Sequence, residues 1–206
     1  MTISLGIWQL NRLEWKQSII NTFEETSSKL PVDLQFAEKT EFLKIKIDAK
    51  INRQYKIFFP AKTLNGKSGF RLASILQTIE NENILIDEGW YDQDKHQYFL
   101  KNDKIFSKKI IGYIRFPRVA KLFTPKNNFI TNEWYTYNLK EIEKFLGIKI
   151  NQKYFIKNMS SLNEPFLVPS KLTPTFRNNH LQYAITWFVM SFAFFVLFLV
   201  YLKKNK

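Results

Sequence analysis

The chain contains no cysteine. That absence removes disulfides, thiolate zinc sites, iron–sulfur ligation and cysteine nucleophiles together. It leaves the compartment open, because many extracytoplasmic proteins also lack disulfides. Glycine is scarce: six in 206 residues, none clustered, so no phosphate-cradling loop can be drawn. Histidine occurs only at His96 and His180, too few for a multi-histidine metal site. Neither a G-x-S-x-G elbow nor an H-E-x-x-H pair is present. No nucleophile and base stand at a spacing that supports a hydrolase, and the expectation is a protein that is not an enzyme. No internal repeat is visible.

Acidic residues are in deficit. Asp and Glu total 18 against 31 Lys and Arg, a net charge of +13. Such a balance fits nucleic acid or an anionic membrane surface as partner. The cations are scattered, however, at Lys44, Lys46, Lys50, Lys56, Lys108, Lys109, Lys149 and Lys153, with no run of five. That distribution reads as a solvated basic surface. The one acidic cluster, Asp87, Glu88, Asp92 and Asp94, surrounds Gly89-Trp90. Its spacing is not that of a calcium loop, and it is expected to form an acidic surface turn.

Apolar residues are plentiful. They make up 45% of the chain, with 20 Phe, which is too apolar for disorder throughout. From Leu181 to Leu202 the chain reads LQYAITWFVMSFAFFVLFLVYL, without a charge. As a helix this stretch reaches about 33 Å, enough for a hydrocarbon core of about 30 Å. Tyr183 and Trp187 stand near one end and Tyr201 near the other, as interfacial aromatics do. Lys203, Lys204 and Lys206 follow. Their charge places the tail inside and the preceding domain outside, and a domain that faces away from the cytoplasm meets no nucleic acid.

At the other end, MTISLGI is apolar but too short to span and lacks the pattern of a signal peptide. It reads as the end of a longer apolar helix whose beginning is missing. Leu10, Leu13, Ile20 and Phe23 then share one side of a helix that runs to about Glu25. Strands are expected over Phe42–Ala49, Tyr55–Phe59 closed by Pro60, Gly69–Leu76, Ile84–Ile86, Ile110–Phe116 and Tyr154–Lys157. Asn65-Gly66 marks a hairpin turn. Asn138 with Glu141 forms a capping box for a helix over 139–146, stopped by Gly147. The fold class is α+β. Residues 1–25 form a helix and 26–178 a β-rich antiparallel domain. Residues 179–202 form a membrane helix, and 203–206 a basic cytoplasmic tail.

His180 stands where the membrane helix begins, after Arg177, Asn178 and Asn179. Two readings stand side by side. The ring is merely interfacial, with its tip in water. Alternatively it ligates haem iron, with Tyr183 and Trp187 against the macrocycle and Arg177 on the propionates. Met159, Met190 or water would be the second ligand, and His96 is too uncertain in position to count.

Two segments bear on that choice. LGIWQLNRLEWK, Leu5 to Lys16, and RNNHLQYAITWF, Arg177 to Phe188, resemble the motifs that close the first and open the second membrane helix of the Surfeit locus protein 1 family. EGW at Glu88–Trp90, the Gly112 strand and NEWYTYNL at Asn132–Leu139 fall between them in the family's order, so the resemblance covers essentially the whole chain. The resemblance implies an assembly factor for cytochrome c oxidase with an outward-facing domain. It implies help with insertion or retention of haem a in the catalytic subunit, and it makes His180 the proposed haem ligand. The other matching positions are Trp8, Gln9, Arg12, Trp15, Lys16, Gly89, Trp90, Tyr135, Asn178, Asn179 and Tyr183. The implied partners are the oxidase catalytic subunit and the lipid bilayer. The implied location is the bacterial cytoplasmic membrane with the domain in the periplasm, in preference to the mitochondrial inner membrane. A cofactor-free module that holds an unassembled oxidase subunit is the alternative. One departure stands out: the family usually carries Arg before Gly-Trp, and this chain has Glu88.

Overall fold

The computed structural model describes residues 1–118, 120, 123–172 and 178–205, the side chain of Lys62 aside. The chain divides into two compact units, one of residues 26–172 and the other formed by the two ends of the sequence.

The central unit is built on six strands: β1 (Val32–Asp33), β2 (Lys44–Leu64), β3 (Lys67–Gln77), β4 (Asn83–Asp92), β5 (Ile105–Arg115) and β6 (Phe155–Asn158). The order is β1-β2-β3-β4-β6-β5, and β2 also pairs with β5. That last pairing closes β2 to β6 into a five-stranded ring, which removes the exposed sheet edges of those strands. Pairing is antiparallel except for β1 with β2 and β4 with β6. The sheet is therefore mixed, where alternation alone suggested antiparallel strands throughout.

Closure depends on the length of β2. Residues Lys44 to Asn52 lie against β5, and Lys50 to Leu64 lie against β3, so Lys50, Ile51 and Asn52 pair on both sides. The register with β3 breaks between Asn52 and Ile57, just beyond the residues that pair on both sides. The two separate strands expected here are thus one. Pro60 does not end it: Pro60 pairs with Phe70 in register, beyond the part of β2 that faces β5. A proline is tolerated where no ladder donor is needed on its other side. Asn65 and Gly66 both take positive φ, 51° and 80°, in the tight turn to β3.

Period-2 alternation sorts the side chains. Ile45, Ile51, Leu76, Ile84, Ile86, Ile110, Ile114 and Ile156, drawn from all five ring strands, form one buried cluster. The residues between them face outward. Ile57, Ala73, Ile75, Leu85 and Phe155 pack there against Trp134, Leu139 and Ile142. Leu139 and Ile142 belong to α3 (Leu139–Leu146), whose limits are those expected. The Asn138 side chain accepts from the Glu141 N–H, and Gly147 ends the helix at φ 69°. Asn138→Ala is expected to lower stability by about 1 kcal/mol, read as a small drop in thermal midpoint. A short helix, α2 (His96–Leu100), buries Phe99 against Tyr91, Phe58 and Leu72. Neither β1 nor α2 was legible in the sequence.

The terminal unit holds α1 (Thr2–Ser27) and α4 (His180–Lys204). On α1, besides Leu5, Ile19 and the last two residues, the less exposed positions are Thr2, Gly6, Gln9, Leu13, Lys16, Ile20 and Phe23. Their alternating spacing of four and three is a heptad seam. It differs from the expected stripe, because Leu10 is exposed and the polar Gln9 lies inward. On α4 His180, Ala184, Trp187 and Ser191 repeat the same spacing. The two seams meet antiparallel. A Cβ on Gly6 would come within 2.6 Å of the Phe188 ring. The Ser191 hydroxyl donates to Thr2 Oγ1 at 2.5 Å. Small residues let the helix axes approach closely, as in membrane helix pairs. From Phe192 to Leu202 nearly every apolar side chain is exposed, and α4 is the one helix among the described residues long and apolar enough to cross a membrane.

Candidate functional site

His180 opens α4, and its partner comes from α1. His180 Nδ1 lies 2.7 Å from Gln9 Oε1. An amide oxygen only accepts, so Nδ1 donates, and in the neutral tautomer this contact selects, Nε2 carries the lone pair. This is the arrangement of a ligating histidine, whose second nitrogen is held by an acceptor that fixes tautomer and ring direction. No group of three or more His, Cys, Asp or Glu that could hold a metal ion occurs among the described residues. A lone imidazole is a donor set that fits haem iron, which one protein histidine can hold, and does not fit a free zinc or calcium ion.

The surroundings are divided. Trp187 shares the packed seam with His180, whereas Tyr183 is 54% exposed. Asn179 precedes the helix without a side-chain cap, and its carbonyl accepts from the Tyr183 N–H. Asn178 Oδ1 is buried and makes no hydrogen bond among the described residues. Arg177, expected at the propionates, lies outside the described residues. On α1, Gln9 and Lys16 lie on the seam, while Trp8, Arg12 and Trp15 are exposed. The Arg12 guanidinium sits 3.9 Å from the Trp15 ring centroid, a cation–π pair.

The motif positions of the central unit form a separate set. Gly89 has φ 151°, and a Cβ there would meet the Val168 carbonyl oxygen at 2.4 Å. Only glycine allows the 160s segment to lie this close. Trp90 and Val168 exchange both backbone hydrogen bonds, each at 2.7 Å. Trp90 Nε1 is buried and has no hydrogen-bond partner among the described residues. Tyr135 is half-exposed, and its N–H donates to Asn127 Oδ1. His96 Nδ1 contacts the Tyr91 hydroxyl, and its ring stacks on Phe70. Burial holds its imidazole below the ordinary histidine range. Met159 and Met190, named as axial candidates, are half-buried.

Half of the acidic cluster corrects the expectation of a surface turn: Asp92 and Asp94 do lie in one, at the end of β4, but Asp87 and Glu88 do not. Asp87 and Glu88 lie within β4, and neither is exposed at all. Adjacent strand residues point to opposite faces, so the two acids enter different environments. Glu88 accepts from Arg53 Nε and Nη2, the latter at 2.7 Å, and from the Ser74 hydroxyl at 2.6 Å. Arg53 is itself buried and also donates to Glu164 at 2.7 Å. Asp87 accepts from Arg71 Nε at 2.7 Å, from the Tyr137 hydroxyl at 2.8 Å and from Lys157 at 3.2 Å. Burial raises the Asp87 carboxyl, but Arg71 and then Lys157 outweigh it and hold it at about 2. Arg53, Arg71, Tyr137, Lys157 and Glu164 escaped sequence reasoning. No local pattern pairs residues 35 or 111 positions apart.

The chain matches the model of the SURF1 family over residues 1–192. It is 28% identical to the SURF1-like protein of Rickettsia conorii, over 98% of this chain and 87% of that protein. It is 22% identical to Surfeit locus protein 1 of Takifugu rubripes, over 100% and 94% respectively. With Surfeit locus protein 1 of Homo sapiens it shares 23% identity, over 92% and 70%. The match takes in α1, the whole ring of strands and the first half of α4, and the chain belongs to the SURF1 family.

Proposed function

We propose that this chain is a non-catalytic membrane factor that assists insertion or retention of haem a in the catalytic subunit of cytochrome c oxidase, with His180 as axial ligand. Membership of the SURF1 family implies the role in oxidase assembly. The observation that carries the haem reading is the 2.7 Å contact of His180 Nδ1 with Gln9 Oε1, which leaves Nε2 as a free donor. Bound haem would supply an iron that takes this imidazole. Trp187 would offer an aromatic face to the ring. One ligand gives weaker holding than two, which suits a factor that must hand its cargo on. Lys203 and Lys204 at the end of α4 support a cytoplasmic tail, with the central unit on the other side of the membrane.

The test is an absorbance spectrum of the chain purified from a host that makes haem a. A Soret band is expected, and His180→Ala is expected to abolish it with the fold intact by circular dichroism. Gln9→Ala is expected to weaken haem affinity about tenfold, the usual cost of losing a ligand's hydrogen-bond partner. An undiminished band in His180→Ala would remove His180 as ligand. No band in either protein, with oxidase subunit copurifying from both, would leave a cofactor-free subunit holder.

A further inference from the structure

The outward face of the ring carries a second feature that the haem reading does not use. Lys157 on β6 pairs in register with Asp87 on β4 and with Tyr113 on β5, and Arg115 pairs with Phe155. Residues two apart on a strand share a face, so Arg71, Asp87, Tyr113, Arg115 and Lys157 are brought to one side of the sheet. A cleft of about 250 Å³ opens beside them, lined by Arg115, Arg118, Tyr135, Tyr137 and Lys157. Its floor is fixed. Tyr137 is clamped between Phe59 and Phe155, with ring centroids 4.0 and 4.3 Å away.

The charges do not balance. Arg71 and Lys157 both pair with Asp87, and Arg115 and Arg118 both pair with Glu41. Four cations thus share two carboxylates. Arg71, Lys157 and Arg115 keep side-chain exposures of 21%, 18% and 21%, so each is partly desolvated but still reachable. Burial, and then Arg71 and Arg115, depress the Lys157 ammonium, although Asp87 opposes them. Like charges crowded in a partly dry cleft are stabilised by an anion placed among them. Arginine forks with a neighbouring ammonium and a tyrosine are the donor set that recognises a tetrahedral or planar oxyanion.

We infer that this cleft binds an oxyanion of the phosphate class, held by Arg115, Arg118 and Lys157. The anion is either free phosphate or the phosphate of an anionic lipid headgroup, since the donor set is the same for both. This inference is independent of the haem reading: its residues lie on the sheet of the central unit, and its test needs no haem.

The test is calorimetric, on the full chain in zwitterionic detergent. One titrant is inorganic phosphate and the other is short-chain phosphatidylglycerol below its micellar concentration. A saturable heat is expected with at least one titrant. Response to phosphate assigns a free anion, and response to the lipid alone assigns a headgroup. Arg118 is 67% exposed, so Arg118→Gln leaves the fold untouched and is expected to weaken binding about threefold. Adding Arg115→Gln is expected to bring the loss to tenfold or more, because charge-assisted hydrogen bonds of that kind are worth about 1.5–3 kcal/mol. Lys29→Gln, an exposed control, is expected to change nothing. Absence of saturable heat with both titrants overturns the site, as does unchanged affinity in the double variant.

Discussion

Replacing Glu88 with alanine is expected to destabilise the central unit by about 3–5 kcal/mol, the cost of stranding a buried charge. Arg53 is 1% exposed and gives Glu88 three of its hydrogen bonds, from Nε to both carboxylate oxygens and from Nη2. Without Glu88 the guanidinium keeps only Glu164 as a charged partner among the described residues. Thermal unfolding of the detergent-solubilised chain, followed by tryptophan fluorescence, should show a fall of about 10 °C. The pair itself need not be stabilising, because desolvation offsets much of the Coulomb gain. Arg53→Met with Glu88→Leu is therefore expected to be far less damaging than Glu88→Ala alone. Glu164 loses its ion pair with Arg53 in that exchange, so Glu164→Gln is added to both variants, which leaves the Tyr98 hydroxyl, 2.6 Å away, as its partner. If the double variant falls as far as the single one, the loss comes from packing and not from a stranded charge. Glu88→Arg is expected to prevent folding. It would put two guanidinium groups into one buried space.

The same pair shows where sequence reasoning stops. Four acids close together read as a solvated turn because burial of a charge depends on its partner, and Arg53 lies 35 residues from Glu88. Features fixed by near neighbours were legible instead. The Asn138–Glu141 cap, the Asn65-Gly66 turn and the uncharged run of α4 each depend on residues within one segment. Ring closure was not legible, because β2 must pair with both β5 and β3 and alternation does not name a strand's neighbour. The candidate haem site falls between these cases. The family resemblance drew attention to both Gln9 and His180. Only the structure brings them to 2.7 Å, across 171 residues of chain.

Asp87→Asn is the second large effect, and its pH dependence identifies its cause. The folded carboxyl is held at about 2, against 3.8 for an unperturbed aspartate. A depressed carboxylate stabilises the fold at every pH above its unfolded value. That stabilisation fades as pH falls from about 4 towards 2, where the folded group also takes up its proton. A difference of nearly two pH units corresponds to roughly 2–3 kcal/mol. At pH 7 the Asn variant is expected to lose about that much. It retains the shape of the side chain but leaves Arg71 and Lys157 facing each other without the shared anion. As the pH is lowered through this window the wild-type midpoint should descend faster than the variant's, and the gap between them should close. A gap that persisted at pH 2 would place the cost in geometry, through the Tyr137 hydroxyl, and not in ionisation. Closure of the gap would instead show that the charge of Asp87 holds Arg71 and Lys157 together on the face that carries the cleft.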